Sequence, residues 1–145
     1  MENSLQDGSE SSKLERIFAG AGILAVGAGA FVVAYFNPTT AGFFPVCPLY
    51  SLTGIHCPGC GLTRGFHALF HGDFLTALHF NALLPVYAFL FGFMFVSMVL
   101  VAVRGRGLSW KIFPPSAMYG LLVLAAAFFV LRNLPFYPFT LLAPQ

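Results

Sequence analysis

Apolar positions along the chain gather into three long runs without a charge inside them. The first extends from Ile17 to Phe36, between Arg16 and Asn37-Pro38. The second extends from about Leu83 to Val103 and ends at Arg104. The third extends from about Pro115 to Leu131 and is closed by Arg132. A membrane-spanning helix needs about 20 mainly apolar residues, so spans are predicted at about 17–36, 83–103 and 115–131. The third is short, and tilt or interfacial residues would make up the difference. Pro114-Pro115 suits its first turn, where a missing N–H costs nothing. The first run is longer than the roughly 7–15 apolar residues of a secretory signal core, so a retained anchor is expected. Residues 1–12 are polar and rich in Ser, Glu and Asp. Such a segment cannot bury enough apolar surface to fold. Residues 1–16 are therefore expected to form a disordered cytoplasmic tail, and 17–145 a single membrane domain.

The stretch 37–82 is too long for a plain connection, and it is not polar. Gly61 to His71 reads as a short helix stopped by Gly72. Asp73 can cap a following helix by accepting its unpaired N–H groups. That helix is expected to continue through Ala77 and His79 into the second span, kinked where Pro85 frees the Asn81 carbonyl. Backbone of this kind at membrane depth must be covered by protein or line a wet cavity. The expected fold is thus an all-α membrane protein, with three transmembrane helices and a re-entrant or interfacial helical segment carrying the cysteines.

Composition sharpens this picture. Hydrophobic residues make up 58% of the 145-residue chain and charged residues 8%, against roughly 25% charge in soluble domains. Seven basic and five acidic residues leave a net charge of +2, too little to steer an anionic partner, and no nucleic-acid role is expected. Lys13, Arg16, Arg104, Arg106 and Lys111, five of the seven lysines and arginines, share the N-terminal side of the three spans. The positive-inside rule makes that side cytoplasmic. The C-terminus and the stretch 37–82 are then outside. Ala21, Ala25 and Gly29 form a small-residue stripe on the first span. Such stripes let helices approach closely in lipid, either within the chain or across a homodimer.

Chemistry concentrates in the central stretch. All three cysteines lie there: Cys47, then Cys57-Pro58-Gly59-Cys60. His56 adjoins the pair, and Arg64, His67 and His71 follow. At ~100° per residue, Cys60, Arg64, His67 and His71 fall within roughly 60° of one another on one helical face. Three readings are open. Cys47, Cys57 and Cys60 with His67 or His71 supply the four ligands of a zinc site. Alternatively, Cys57 and Cys60 form a redox pair, with Pro58 in the first helical position and Cys57 at the cap, where a thiolate is favoured. Or the turn is a structural pin, since cysteines are small enough to pack there. Arg64 needs a partner or water at membrane depth. Asp73 is the candidate counter-ion, and snorkelling to lipid phosphates is the alternative. Arg132 and Asn133 are expected to cap the last carbonyls of the third span.

Cys47-Pro48, Leu52-Thr53-Gly54 and the octapeptide from Cys57 to Arg64 resemble the signature of a bacterial family of small multi-pass membrane proteins of unknown function. Its hallmark is Cys-Pro-Gly-Cys-Gly-Leu-Thr-Arg. The resemblance continues through His71-Gly72-Asp73-Phe74 and Asn81. The family usually has proline after the position of Asn81, whereas here Ala82 follows and proline comes at Pro85. The resemblance implies a bacterial cytoplasmic membrane location and a Cys/Arg loop, and it supplies no reaction. The expected function is an integral membrane protein whose extracytoplasmic Cys/His/Arg loop forms an ordered structural, metal-binding or partner-binding site. A membrane thiol–disulfide oxidoreductase and an accessory subunit of a larger membrane complex are the alternatives.

Overall fold

The computed structural model describes residues 12–109 and 113–143, and within them the chain is all-helical. Of the tail expected over 1–16, the part up to Ser11 lies outside the described residues, as does the basic Lys111, whereas Lys13 to Arg16 form the first turn of a helix. The helices are α1 (Lys13–Tyr35), α2 (Pro48–Thr53), α3 (Leu62–Phe70), α4 (Phe74–Phe80), α5 (Leu84–Arg104) and α6 (Pro115–Leu131), followed by a 3-10 turn at Phe139–Leu142. The helices α1 and α5 are long and apolar enough to cross a membrane; α6, with 17 residues, is shorter. Its bounds coincide with the third apolar run, and Pro115 opens its first turn.

The chain divides into two compact units. Of the described residues, the first holds 12–30 together with 88–109. Here α1 opens with reciprocal bonds between Ser12 and Glu15, a capping box written as Ser-x-x-Glu in the sequence. Arg16 then donates to the carbonyls of Ala102 and Val103, at 2.9 and 3.3 Å from Nη2. These belong to the last turn of α5, where carbonyls have no helical partner. The start of α1 therefore lies beside the end of α5, and the two helices run antiparallel within this unit. Gly22 permits a close approach: a Cβ there would meet the Met98 side chain at 3.2 Å. Ala21, Ala25 and Gly29, the small-residue stripe, are exposed instead. After Gly105, with φ of 71°, the chain turns back and Leu108 N–H bonds the Ser97 hydroxyl at 3.1 Å. Outward-facing side chains on both helices are apolar, Leu24 at 76% exposure and Val103 at 70% among them. Water would penalise such a surface; hydrocarbon accommodates it.

The second unit holds 31–87 and 113–143 of the described residues. Its core is the α3–α4 hairpin, where Ala68, Ala77 and Leu84 are buried under Leu62, Phe66 and Leu69. Small residues allow this. A Cβ on Gly65 would lie 3.2 Å from the Ala77 carbonyl and 3.1 Å from Leu84. Gly72, at φ 79°, turns the chain, and the Asp73 carboxylate accepts from Thr76 N–H at 3.1 Å, the expected cap. The expected kinked continuation of α4 into α5 is not what forms. The helix breaks at Asn81, which is extended at φ −158°. The Asn81 side-chain oxygen takes the Leu83 N–H at 2.9 Å, and its carbonyl takes that of Leu84. The side chain thus begins α5 anew, and Pro85 sits in the first turn, where no hydrogen bond is lost.

Candidate functional site

The site is built on the segment between α2 and α3. Cys47 immediately precedes Pro48 at the start of α2, a helix not foreseen from the sequence because six residues show little periodicity. Gly54, left-handed at φ 73°, ends α2 and sends the chain back. Residues 57–60 then form a tight turn closed by the Cys60 N–H bonding the Cys57 carbonyl at 3.0 Å. The helix α3 starts only at Leu62, with Gly61 at φ 83° before it. Pro58 is consequently in the turn and not in a first helical position, and Cys57 is no helix cap.

This path brings three sulfurs together. Cys57 Sγ lies 3.4 Å from Cys47 Sγ and 3.1 Å from Cys60 Sγ, and all three fall within 4.8 Å of one another. All three cysteines are free thiols. Sulfurs around a tetrahedral zinc stand about 3.8 Å apart, given Zn–S bonds of ~2.3 Å. The triad is thus within about 1 Å of a ligating face. The Cys57 N–H points at Cys60 Sγ, 3.2 Å away.

The turn is held from behind by side chains of other elements. Arg132, 1% exposed, donates from Nη1 to the Cys57 carbonyl at 2.8 Å and from Nη2 to the Cys60 carbonyl at 3.2 Å. Its guanidinium also lies 4.7 Å from the centre of the Phe128 ring. Asn81, fully buried, donates to the Pro58 and Cys60 carbonyls at 2.8 and 3.2 Å. Asn133 takes the His56 N–H at 2.8 Å and returns a bond to the His56 carbonyl at 2.9 Å. A tight turn leaves carbonyls without partners, and buried ones must find them. Here one Arg and two Asn supply nearly all of them. Asn133 also caps α6 through the Phe129 carbonyl, as expected, at 2.7 Å. Arg132 does not spend its guanidinium on the expected capping: its terminal nitrogens go to the cysteine turn. The only sequence signal was a cation and an amide at the end of an apolar run, which reads equally as an interfacial anchor.

Local fields separate the thiols. The Tyr50 backbone N–H, then the Cys57 and Cys60 side chains, bring Cys47 down to about 7 from 9.0. Burial first, then the thiols of Cys57 and Cys47, push Cys60 up to about 12. His56 stacks on Tyr50 with ring centres 4.4 Å apart, and burial followed by the Arg132 charge lowers its pKa. A cavity of about 470 Å³ opens in front of the triad. All three cysteines, Tyr50, His56 and Arg64 are among the residues lining it.

The other candidate residues stand elsewhere. His67 Nδ1 lies 2.7 Å from the Val33 carbonyl, in the last turn of α1, so the ring N–H donates there. His71 is exposed, with its ring centre 4.4 Å from that of His67. Neither joins the sulfur group among the described residues. Asp73 spends its carboxylate on the α4 cap and pairs with no cation among the described residues, Arg64 included.

Residues 47–95 match a family model described as a protein of unknown function, DUF2752. The matched stretch contains the three cysteines, Arg64 and Asn81, and ends inside α5. No curated protein and no solved structure matches the chain.

Proposed function

We propose that this is a three-span integral protein of a bacterial cytoplasmic membrane, N-terminus inside and C-terminus outside, whose extracytoplasmic loop holds a thiophilic metal ion such as zinc through Cys47, Cys57 and Cys60. The convergence of three sulfurs within 4.8 Å carries the reading. A dithiol redox pair needs two sulfurs; here a third is delivered from the start of a separate helix. The charge balance supports the same reading. Arg132 is buried, and no carboxylate pairs with it among the described residues. A buried cation without an anion is costly. A divalent ion held by three thiolates carries one net negative charge, and Arg132 supplies the matching positive one. Negative charge on Cys57 or Cys60 is attracted to it. The high proton affinity of Cys60 is no obstacle, because a coordinated thiol is deprotonated outright.

Lipid is the partner of α1, α5 and α6, and the exposed Ala21, Ala25 and Gly29 stripe is the face a second membrane helix would use. One observation favours the redox alternative: Cys57 is close enough to both other sulfurs to exchange disulfides with either.

The test is metal analysis of detergent-purified protein. About one zinc per chain is expected, and Cys47→Ser, Cys57→Ser and Cys60→Ser should each release it, since opening a ligand position weakens the site. Arg132→Gln should bind zinc about 10–100-fold more weakly, because it positions two ligand residues. Metal-free protein whose thiol count rises by two on mild reduction would instead establish the redox reading.

A further inference from the structure

The sulfur triad supplies three ligands, and the fourth side of it faces the cavity. Metal sites with three protein ligands keep the fourth position for water or an incoming molecule, whereas structural zinc sites are closed with four. Within the described residues, no fourth Cys, His, Asp or Glu offers a ligand atom to the group. The cavity, at about 470 Å³, lies within the roughly 300–1,000 Å³ of small-molecule sites. Arg64 lines it together with all three cysteines. Arg64 is half-buried and makes no hydrogen bond or ion pair with any described residue. The acidic residue nearest in sequence, Asp73, is engaged in capping α4. A guanidinium is a planar fork of donors suited to a carboxylate. The cavity therefore offers a soft, coordinatively open centre at one side and an unsatisfied carboxylate receptor at another. Tyr50 and His56, stacked on each other, add an aromatic wall.

We propose that this cavity binds a small organic anion bearing a thiol and a carboxylate, the sulfur completing the metal held by Cys47, Cys57 and Cys60 and the carboxylate pairing with Arg64. The proposal rests on the metal-site reading given above. It makes that site an open, ligand-exchanging centre in place of a closed structural one. The thiol loses its proton on coordination, and no electron transfer is involved.

Cobalt(II) separates the two levels, because its thiolate charge-transfer and d–d bands report both loading and coordination. Full-length protein in detergent is loaded with Co(II) and titrated with mercaptoacetate, and separately with its methyl ester, which keeps the thiol and lacks the carboxylate. Expected are thiolate bands on loading, a further band change on adding mercaptoacetate, and binding of the acid about tenfold tighter than the ester, the scale of a charged hydrogen bond. Arg64→Gln should load Co(II) as the wild type does, bind the ester equally well and lose the preference for the acid. Failure of Co(II) to load would overturn the metal reading itself. Loading with spectra that neither probe changes would show a closed site and overturn only this inference. An acid preference that survives Arg64→Gln would remove Arg64 from the role.

Discussion

Among single residues, the three cysteines differ most in how their surroundings treat charge. Cys47 ionises near 7 because the Tyr50 backbone N–H and the neighbouring thiols favour its thiolate, whereas burial holds Cys60 as a thiol up to about 12. The signs follow. The folded value for Cys47 lies below the unfolded 9.0, so its contribution to stability is complete above 9 and is lost as the pH falls through 7. Cys60 behaves oppositely, with a contribution complete below 9.0 and lost as the pH rises toward 12. Alkylation reads this directly, because the thiolate is the nucleophile. In metal-free protein, iodoacetamide should modify Cys47 first, with a half-maximal rate near pH 7, and leave Cys60 intact; peptide mass spectrometry assigns the adducts. Equal modification of Cys47 and Cys60 at pH 7 would contradict the separation. None of this was readable from spacing, which treats the three thiols alike. The difference arises from an N–H at the start of α2 and from burial beneath the 57–60 turn.

Elements are governed here by close approach. The α3–α4 hairpin closes because Gly65 lets the Ala77 carbonyl and Leu84 come within what would be 3.1–3.2 Å of a side chain. The leucine can rotate away; the backbone carbonyl cannot. Helix propensity alone would reward Gly65→Ala by up to about 1 kcal/mol, but overpacking costs about 1–3 kcal/mol. Net destabilisation of about 1 kcal/mol is expected, seen as a lower Tm in detergent. Gly92→Ala on α5, where nothing lies within 4 Å of the added carbon, should leave the Tm unchanged or raise it. The α3 bounds and the start of α4 were legible to within a residue or two, since Gly72 and Asp73 are strong local signals. The break at Asn81 was not, because proline is the louder kink signal. What ends α4 is an amide that serves the cysteine turn and the start of α5 together.

For the whole molecule, the question is the membrane. Arg16 on the last carbonyls of α5 ties the start of α1 to the segment carrying Arg104 and Arg106, which gathers basic residues at one end of the first unit. In the topology proposed above, that end is the cytoplasmic one, as the positive-inside rule favours. In intact cells treated with a chelator, a membrane-impermeant maleimide should label Cys47 in the otherwise native protein. It should fail to label Ser4→Cys in a background where all three cysteines are serine. The reverse pattern would invert the topology and carry the sulfur triad to the cytoplasm.

The sequence by itself determined the long apolar helices and the turn between α3 and α4. Uncharged apolar runs of this length favour helices that lipid can face, and Gly72, Asp73 and Pro115 act within a turn of their own position. It also singled out the cysteines. It did not determine which groups meet them. A 100° wheel offered His67 and His71, but Cys60 precedes α3 in a turn, so the wheel does not extend to it. The partner of His67 is a carbonyl in α1, 34 residues away. Cys47 reaches the pair only because Gly54 reverses the chain, and Arg132 reaches the turn from 75 residues downstream. These are long-range pairings fixed by the demand of buried carbonyls for donors, a demand that exists only once the chain has folded.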